Sequence, residues 1–390
     1  MKKRVLFSAS FFHGLNDAAA VTVPMIFPLL YSQQLIIKKY SHIGILSTLG
    51  LLITFIFQIV LANYAHRFEY KHILFFSVAG ISSSLLLISF SSTFASLLFF
   101  YLVMRVFTSF YHPIGIAMVS KTHPDRGLDF AMGIQIGSGN LGVFTALISV
   151  GFLAQRFGWE TPLYIWALVS FLLGVVSFLS VRKISTKEER INTPVFSSWV
   201  NTIKEMKKYI PGFVFGGACW GTTVYYAPSL LNHKFNVSLG KTGIYLAFWI
   251  GIGTVMTYLF GCLSRSFGRW RISIASFIGS SLFLFLLGIS SVNSLALLSL
   301  FFFGAFLFLI FPAFQSYVGN LVSSDSQTLA FSVVANVQML SGSIVVLISG
   351  FLSDKFGINS PFILLAIMGT IISVYYLIKP PSIKTQILNF

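Results

Sequence analysis

Charge is scarce in this sequence: 9% of its 390 residues are Asp, Glu, Lys or Arg, and only ten are acidic. Set against 56% hydrophobic residues and 43 Phe, that balance excludes a water-soluble fold and points to a polytopic membrane protein. Cysteine is nearly absent as well. Cys219 and Cys262 both fall inside apolar runs, so neither a disulfide framework nor a CxxC metal motif is available. A nucleophile elbow, an HExxH pair and a phosphate loop are missing too, which argues against an enzyme and calls for no cofactor or metal. "GSGNLG" at 137–142 matches a dinucleotide fingerprint only as a string, because no strand precedes it and it lies inside an apolar run. Its glycines read as a surface for close helix packing. "NVS" at 236 matches a glycosylation acceptor, with nothing to indicate a compartment that uses one.

What is abundant is apolar sequence in pieces long enough to cross about 30 Å of hydrocarbon. Twelve such runs lie near 5–31, 41–65, 72–90, 95–119, 128–153, 161–181, 209–231, 241–263, 272–290, 295–318, 328–352 and 361–379. The first begins like a signal peptide, with "KKR" and then "AAA", but continues unbroken through Leu30 and reads as an uncleaved first helix. The net charge of +16 needs no nucleic acid to explain it. With the N-terminus in the cytoplasm, 19 of the 26 Lys and Arg fall in inner segments, six in outer loops, and Arg105 within helix 4, as the positive-inside rule requires. A multi-pass membrane protein with both termini cytoplasmic is expected.

Four stretches share a pattern: "ANYAHRFE" from 62, "GFLAQRFG" from 151, "GCLSRSFG" from 261 and "GFLSDKFG" from 350. Offsets of 199 relate the first to the third and the second to the fourth, and offsets of 89 relate neighbours within a half. Six helices separate copies on the same side and three separate copies on opposite sides, so the chain reads as two parallel six-helix halves, each built from two inverted three-helix units. The expected fold is an all-α membrane protein of twelve transmembrane helices in two pseudo-symmetric bundles, with domains 1–181 and 209–390. The cytoplasmic linker 182–208 contains a candidate amphipathic surface helix. The 199 offset also superposes Pro113 on Pro312.

This arrangement, with "GxLxxxFG"-type ends after helices 2 and 8, resembles the major facilitator superfamily over essentially the whole chain. Within it, "SFFHGLNDAAAVTVPMIFPLL" and "FYHPIGIAMVSK" are similar to the fosmidomycin-resistance group of drug exporters, in which a His/Asn-Asp helix 1 and a His-Pro helix 4 recur. The resemblance implies a monomeric, proton-coupled transporter of the bacterial inner membrane, with a small solute, protons and the bilayer as its partners, whose helices 1, 4, 7 and 10 line a central cavity. Two departures stand out. His66 and Arg265 occupy the place of the superfamily's usual loop Asp, and Ser138 stands where antiporters carry a Pro in helix 5.

Helical spacing identifies candidate residues on its own terms. Ser10, His13 and Asp17 make one polar stripe on helix 1, with Asn16 adjacent, and Arg105, Thr108, Ser109 and His112 make another on helix 4. A charge at mid-span costs roughly 2.5–3.5 kcal/mol on insertion scales, so it persists where something offsets it. Asp17, His13, His112 and Arg105 are the expected proton-coupling residues, with Asp17 and Arg105 either exchanging a proton-dependent pairing or forming a fixed ion pair. The expected solute contacts are Asn16, Gln58, Thr108, Gln135, Trp220, Tyr226, Trp249, Gln315 and Asn336. The second half supplies all three aromatic ones, and it lacks the charges, since the 199 offset places Gly216 and Gly304 opposite Asp17 and Arg105. The expected gate residues are His66, Arg67, Arg265, Arg269, Pro113 and Pro312. The function this supports is drug or metabolite efflux by proton antiport. Proton symport importing an anionic metabolite or siderophore is the alternative, and a non-transporting sensor or scaffold the reading of another class.

Overall fold

A computed structural model describes residues 2–34, 36–123, 128–185, 196–321 and 327–380. Apart from a short 3-10 turn at Ala65–Arg67 and a π turn at Leu230–Lys234, the described residues form fourteen α-helices. The first half holds α1 (Lys2–Ser32), α2 (Tyr40–Tyr64), α3 (Tyr70–Ser89), α4 (Phe94–Thr108), α5 (Tyr111–Thr122), α6 (Leu128–Phe157) and α7 (Glu160–Val181). The amphipathic α8 (Phe196–Met206) follows, resting on the second half with Thr202 and Met206 buried. The second half holds α9 (Ile210–Ser229), α10 (Leu239–Phe267), α11 (Arg269–Ile289), α12 (Asn293–Leu321), α13 (Gln327–Phe356) and α14 (Ser360–Ile378). All-helical spans are what hydrocarbon demands, because each helix satisfies its own backbone polar groups.

Eleven spans among the described residues are long and apolar enough to cross a membrane, with α4 and α5 together supplying one, Phe94–Ser120. The run expected near 209–231 is α9, which is less apolar than the others. Its Gly, Thr, Trp and Tyr lower its hydropathy, and most of its side chains are buried against α13, α14, α12 and α1. A helix enclosed by its neighbours needs no aliphatic face for lipid.

The two prolines related by the 199 offset behave differently. Pro113 lacks the amide that would bond Ser109, and the span breaks there, at Ser109–Phe110, into α4 and α5. Pro312 sits inside an unbroken α12. The carbonyl it leaves free, that of Phe308, accepts a hydrogen bond from Thr257 Oγ1 at 3.2 Å, so the helix keeps its course.

The halves meet through α2 against α13 and α6 against α10. Glycines make the approach possible, and they do so at matched positions. Gly44 faces the carbonyls of Val346 and Leu347, while Gly243, at the 199 offset, faces Leu147 and Ile148. Gly151 faces Leu239 and Gly240, while Gly350 faces Tyr40 and Ser41. These contacts cluster at the face where α1 ends and α2 begins. Toward the opposite, terminus-bearing face, the last hydrogen bond between halves among the described residues is Asn140 Nδ2 to Thr254 Oγ1, at 3.3 Å. Among the described residues, then, the contacts that join the halves gather at one end and thin out toward the other.

Candidate functional site

Three ionisable side chains converge at mid-span. On α1, His13 and Asp17 stand one turn apart with Nε2 and Oδ2 at 3.1 Å, and from α5 His112 brings its Nε2 to 3.6 Å from Asp17 Oδ1. Asn16 Nδ2 donates to the same Oδ1 at 3.1 Å. The break before Pro113 starts a new helix at Tyr111, and Tyr111 and His112 both meet the His13 ring, at centroid distances of 4.5 and 5.4 Å.

The surroundings determine how this cluster holds protons. His13 Nδ1 lies 2.8 Å from the carbonyl of Gln135, which only accepts, so Nδ1 carries a hydrogen. Nε2 then faces a carboxylate oxygen at 3.1 Å, and two lone pairs at that distance repel, so one shared proton completes the pair. Tyr111 is held by its own hydroxyl, which donates to the Ala9 carbonyl at 2.9 Å and accepts from Gln135 Nε2 at 2.8 Å. Gly139 lets α6 close over the pair: a Cβ there would lie 2.7 Å from Asp17 Oδ2 and 2.8 Å from His13 Nε2. The glycines of "GSGNLG" therefore serve close packing, with Gly142 against the backbone of Gly14. The facing atoms of His13, Asp17 and His112 lie within 4.8 Å of one another, near enough to share one small cation. A proton meets that geometry unaided, whereas a divalent metal would need at least one further ligand, such as water, beside these three. The Asp17 and His112 side chains are 23% and 45% exposed, so the cluster is not sealed within the helices that hold it.

Arg105 is not part of it. No ion pair joins Arg105 to Asp17 among the described residues, which corrects the expectation of a fixed ion pair between them. Arg105 lies on α4, on the other side of the helix break from His112, and its side chain lies over Gly50 of α2, with Nε 3.5 Å from that carbonyl. It is only 7% exposed, and no ion pair to a carboxylate is formed by it among the described residues. Thr108 Oγ1 donates to the Arg105 carbonyl at 3.1 Å and is occupied there.

The expected solute wall is only partly where the sequence placed it. Asn16 and Gln135 belong to the cluster, and Gln58 and Asn336 are half-buried on α2 and α13. Trp220 is half-buried and packs on Trp249 and Phe308 at 5.6 and 5.9 Å. Trp249 is buried against Gly304, and Phe311 fills the space beside Gly216. The positions opposite the two charges thus admit aromatic rings between helices. Tyr226 is buried at the closed face, its hydroxyl donating to Val346 at 3.0 Å, so it seals rather than lines. Gln315 is exposed on α12, away from the cluster's helices.

Of the expected gate residues, Arg67 is exposed over the Tyr64 ring, Arg265 is exposed with Nε on its own helix at Gly261, and Arg269 lies over the Tyr317 ring. The His66 side chain lies outside the described residues. Contacts that motif spacing missed join the halves at the closed face. His233 Nε2 donates to the Pro28 carbonyl at 3.0 Å and its Nδ1 accepts from Tyr40 Oη at 2.9 Å, joining the ends of α1 and α2 to the turn after α9.

Long apolar helices in two offset-related halves, joined chiefly at one end around a central ionisable cluster, define a multi-pass membrane transporter. The chain belongs to the Major Facilitator Superfamily, whose family model matches residues 6–346 and 261–388. The probable nitrate transporter NarT of Staphylococcus aureus (strain Newman) is 22% identical over 179 residues, 45% of this chain and 45% of that transporter. The chain therefore spans about half the length of the nitrate transporters it matches. The MFS-type transporter YuxJ of Bacillus subtilis (strain 168) is 23% identical over 81% of this chain and 83% of its own. A bacterial homolog of the human lysosomal transporter Spinster superposes with TM-score 0.80 at 15% identity, covering 97% of this chain and 96% of that one. The nucleoside transporter NupG superposes at 0.77 with 12% identity, covering 96% and 98%. These likenesses extend to the fold.

Proposed function

We propose that the protein is a proton-coupled secondary transporter of the bacterial inner membrane, moving a small organic solute by alternating access. In this reading residues 1–181 and 209–390 rock against each other about the linker 182–208, with both termini cytoplasmic, as the distribution of Lys and Arg favours. The observation that carries the proposal is the His13–Asp17–His112 cluster: a carboxylate at mid-span that shares a proton with one imidazole, stands within reach of a second, and remains partly exposed. A second proton enters through His112 and leaves when the opposite face opens. Efflux of a drug or metabolite in exchange for protons follows from the resemblance to the fosmidomycin-resistance exporters, whose two motifs supply His13, Asn16, Asp17, His112 and Pro113.

Symport of an anionic solute is the second reading, and Arg105 favours it. A buried guanidinium without a carboxylate is costly unless an anion joins it. Because Arg105 and the cluster are separate, solute and proton would bind together rather than compete. NarT's description as a probable nitrate transporter is in keeping with an anion.

The test begins with a thermal-shift screen of antibiotics, phosphonates, siderophores, carboxylates and nitrate, followed by transport in proteoliposomes under an imposed pH gradient. Asp17→Asn should abolish gradient-driven accumulation while leaving solute exchange intact. Full accumulation by that variant ends the proton proposal, and the direction of accumulation separates efflux from import.

A further inference from the structure

The four copies of the eight-residue repeat end α2, α6, α10 and α13, and their fifth residues are His66, Gln155, Arg265 and Asp354. Two of these reach across to the other half. Asp354 of α13 accepts from the backbone N–H of Tyr40 at 2.6 Å and of Ser41 at 3.1 Å, the first two residues of α2. Gln155 of α6 accepts through Oε1 from the N–H of Gly240 at 2.8 Å, the second residue of α10. The shift of 199 that carries Gln155 onto Asp354 also carries Ser41 onto Gly240, so the two bonds are symmetry mates.

First-turn amides have no partner within their own helix, and a side-chain oxygen placed there stabilises it, the more so when charged. Neither α2 nor α10 provides this itself: Lys39 and Ser238 at their N-caps make no side-chain cap bond. Each half's helix is capped by the other half, and only while this face is closed.

At the terminus-bearing face the repeat carries Arg265 in the equivalent position. A guanidinium has donors alone, so it cannot accept from a helix amide, and its charge opposes the positive end of a helix dipole. Arg265 Nε turns back to Gly261 of its own helix at 3.1 Å.

We propose that the fifth residue of the repeat is a one-sided latch: Asp354 and Gln155 hold the α1-end face closed by capping α2 and α10 across the halves, while Arg265 denies the opposite face the same bond. The resting transporter is thereby biased to stand open at its terminus-bearing face. The proposal rests on alternating access but not on proton coupling.

The test uses the full chain in lipid nanodiscs with Cys262→Ser, and spin-label pairs at Lys38 and Lys241 for the closed face and at Phe68 and Phe267 for the other. Asp354→Ala should raise the ratio of molecules open at the Lys38/Lys241 face about fivefold, the population equivalent of one helix cap. Gln155→Glu should lower it, and Arg265→Asp should increase closure of the Phe68/Phe267 face. The last two act at exposed positions, so they decide the matter even where Asp354→Ala does not fold. Unchanged distributions in these variants overturn the latch and leave the proton assay unaffected. Loss of proton-driven transport in Asp17→Asn with no shift of either distance leaves the latch standing.

Discussion

Gly139 is the residue on which the central cluster most depends without contributing a polar atom to it. Because a Cβ there would press on both Asp17 Oδ2 and His13 Nε2, Gly139→Ala should part the pair. The loss of one charge-assisted hydrogen bond is about 1.5–3 kcal/mol, so gradient-driven transport should fall about tenfold or more. Gly133→Ala is the control, since a Cβ at Gly133 meets nothing within 4 Å. Equal transport rates for the two variants in proteoliposomes would show that the close approach of α6 does not matter. At this scale the sequence was informative about faces and poor about partners. The i, i+4 spacing of His13 and Asp17 and the adjacency of His112 to Pro113 were readable. The supporting Tyr111 and Gly139 carried only weak signals, one beside the His-Pro pair and the other inside a string resembling a nucleotide motif. The separation of Arg105 from Asp17 was not readable, because a stripe on each of two helices does not say which turn of one faces which turn of the other. Trp249 and Tyr226 misled for a related reason: an aromatic ring serves a cavity wall and a helix interface equally well, and only the glycine or carbonyl opposite decides.

At the scale of elements, the turn after α9 couples the closed face to pH. Burial pulls the His233 imidazole below its ordinary pKa, and the bond to the Pro28 carbonyl offsets part of that. The closed arrangement also uses the neutral ring, with Nε2 donating to Pro28 and Nδ1 accepting from Tyr40. Where the closed state depresses the pKa and the open state leaves it ordinary, closure is fully favoured above the ordinary value of about 6.5 and weakens as pH falls through it. The neighbouring groups are Tyr31, whose ring lies 5.2 Å away, Lys234 next in sequence, and Asp354, which reaches Tyr40 through its backbone. The Lys38/Lys241 label pair should therefore report more opening at pH 5.5 than at 7.5, and His233→Gln should remove the difference. No change with pH in the unsubstituted protein would mean that the ring tolerates its second proton in place. Helix positions were legible from apolar run length, and the Pro113 break from the missing amide. What happens at Pro312 was not, because its outcome depends on a hydroxyl from a different helix, Thr257. The low hydropathy of α9 reflects enclosure, which no run-length criterion registers.

For the whole molecule, the 199 offset describes the interface between halves far better than it describes the chemistry. It superposes Gly44 on Gly243, Gly151 on Gly350, Gln155 on Asp354, and the backbone each of them meets, yet it places glycines opposite Asp17 and Arg105. The repeat thus preserves how the halves close and leaves the ionisable site to one of them. A quantitative expectation follows, because symmetric positions need not have equal clearance. A Cβ on Gly44 would stand 3.2 Å from the Val346 and Leu347 carbonyls and 3.1 Å from the Tyr226 hydroxyl, distances that a shift of a few tenths of an ångström relieves. A Cβ on Gly243 would overlap the Leu147 carbonyl oxygen itself, and a helix backbone gives way only by moving the whole helix. Gly243→Ala should hold α10 off α6 and open the α1-end face in most molecules, whereas Gly44→Ala should shift the population only a few-fold. Distances between labels at Lys38 and Lys241 check both, and neither substitution touches the proton cluster, so Asp17-dependent proton binding should survive in each. Equal behaviour of the two variants would mean that the halves close by a looser contact than the paired glycines describe.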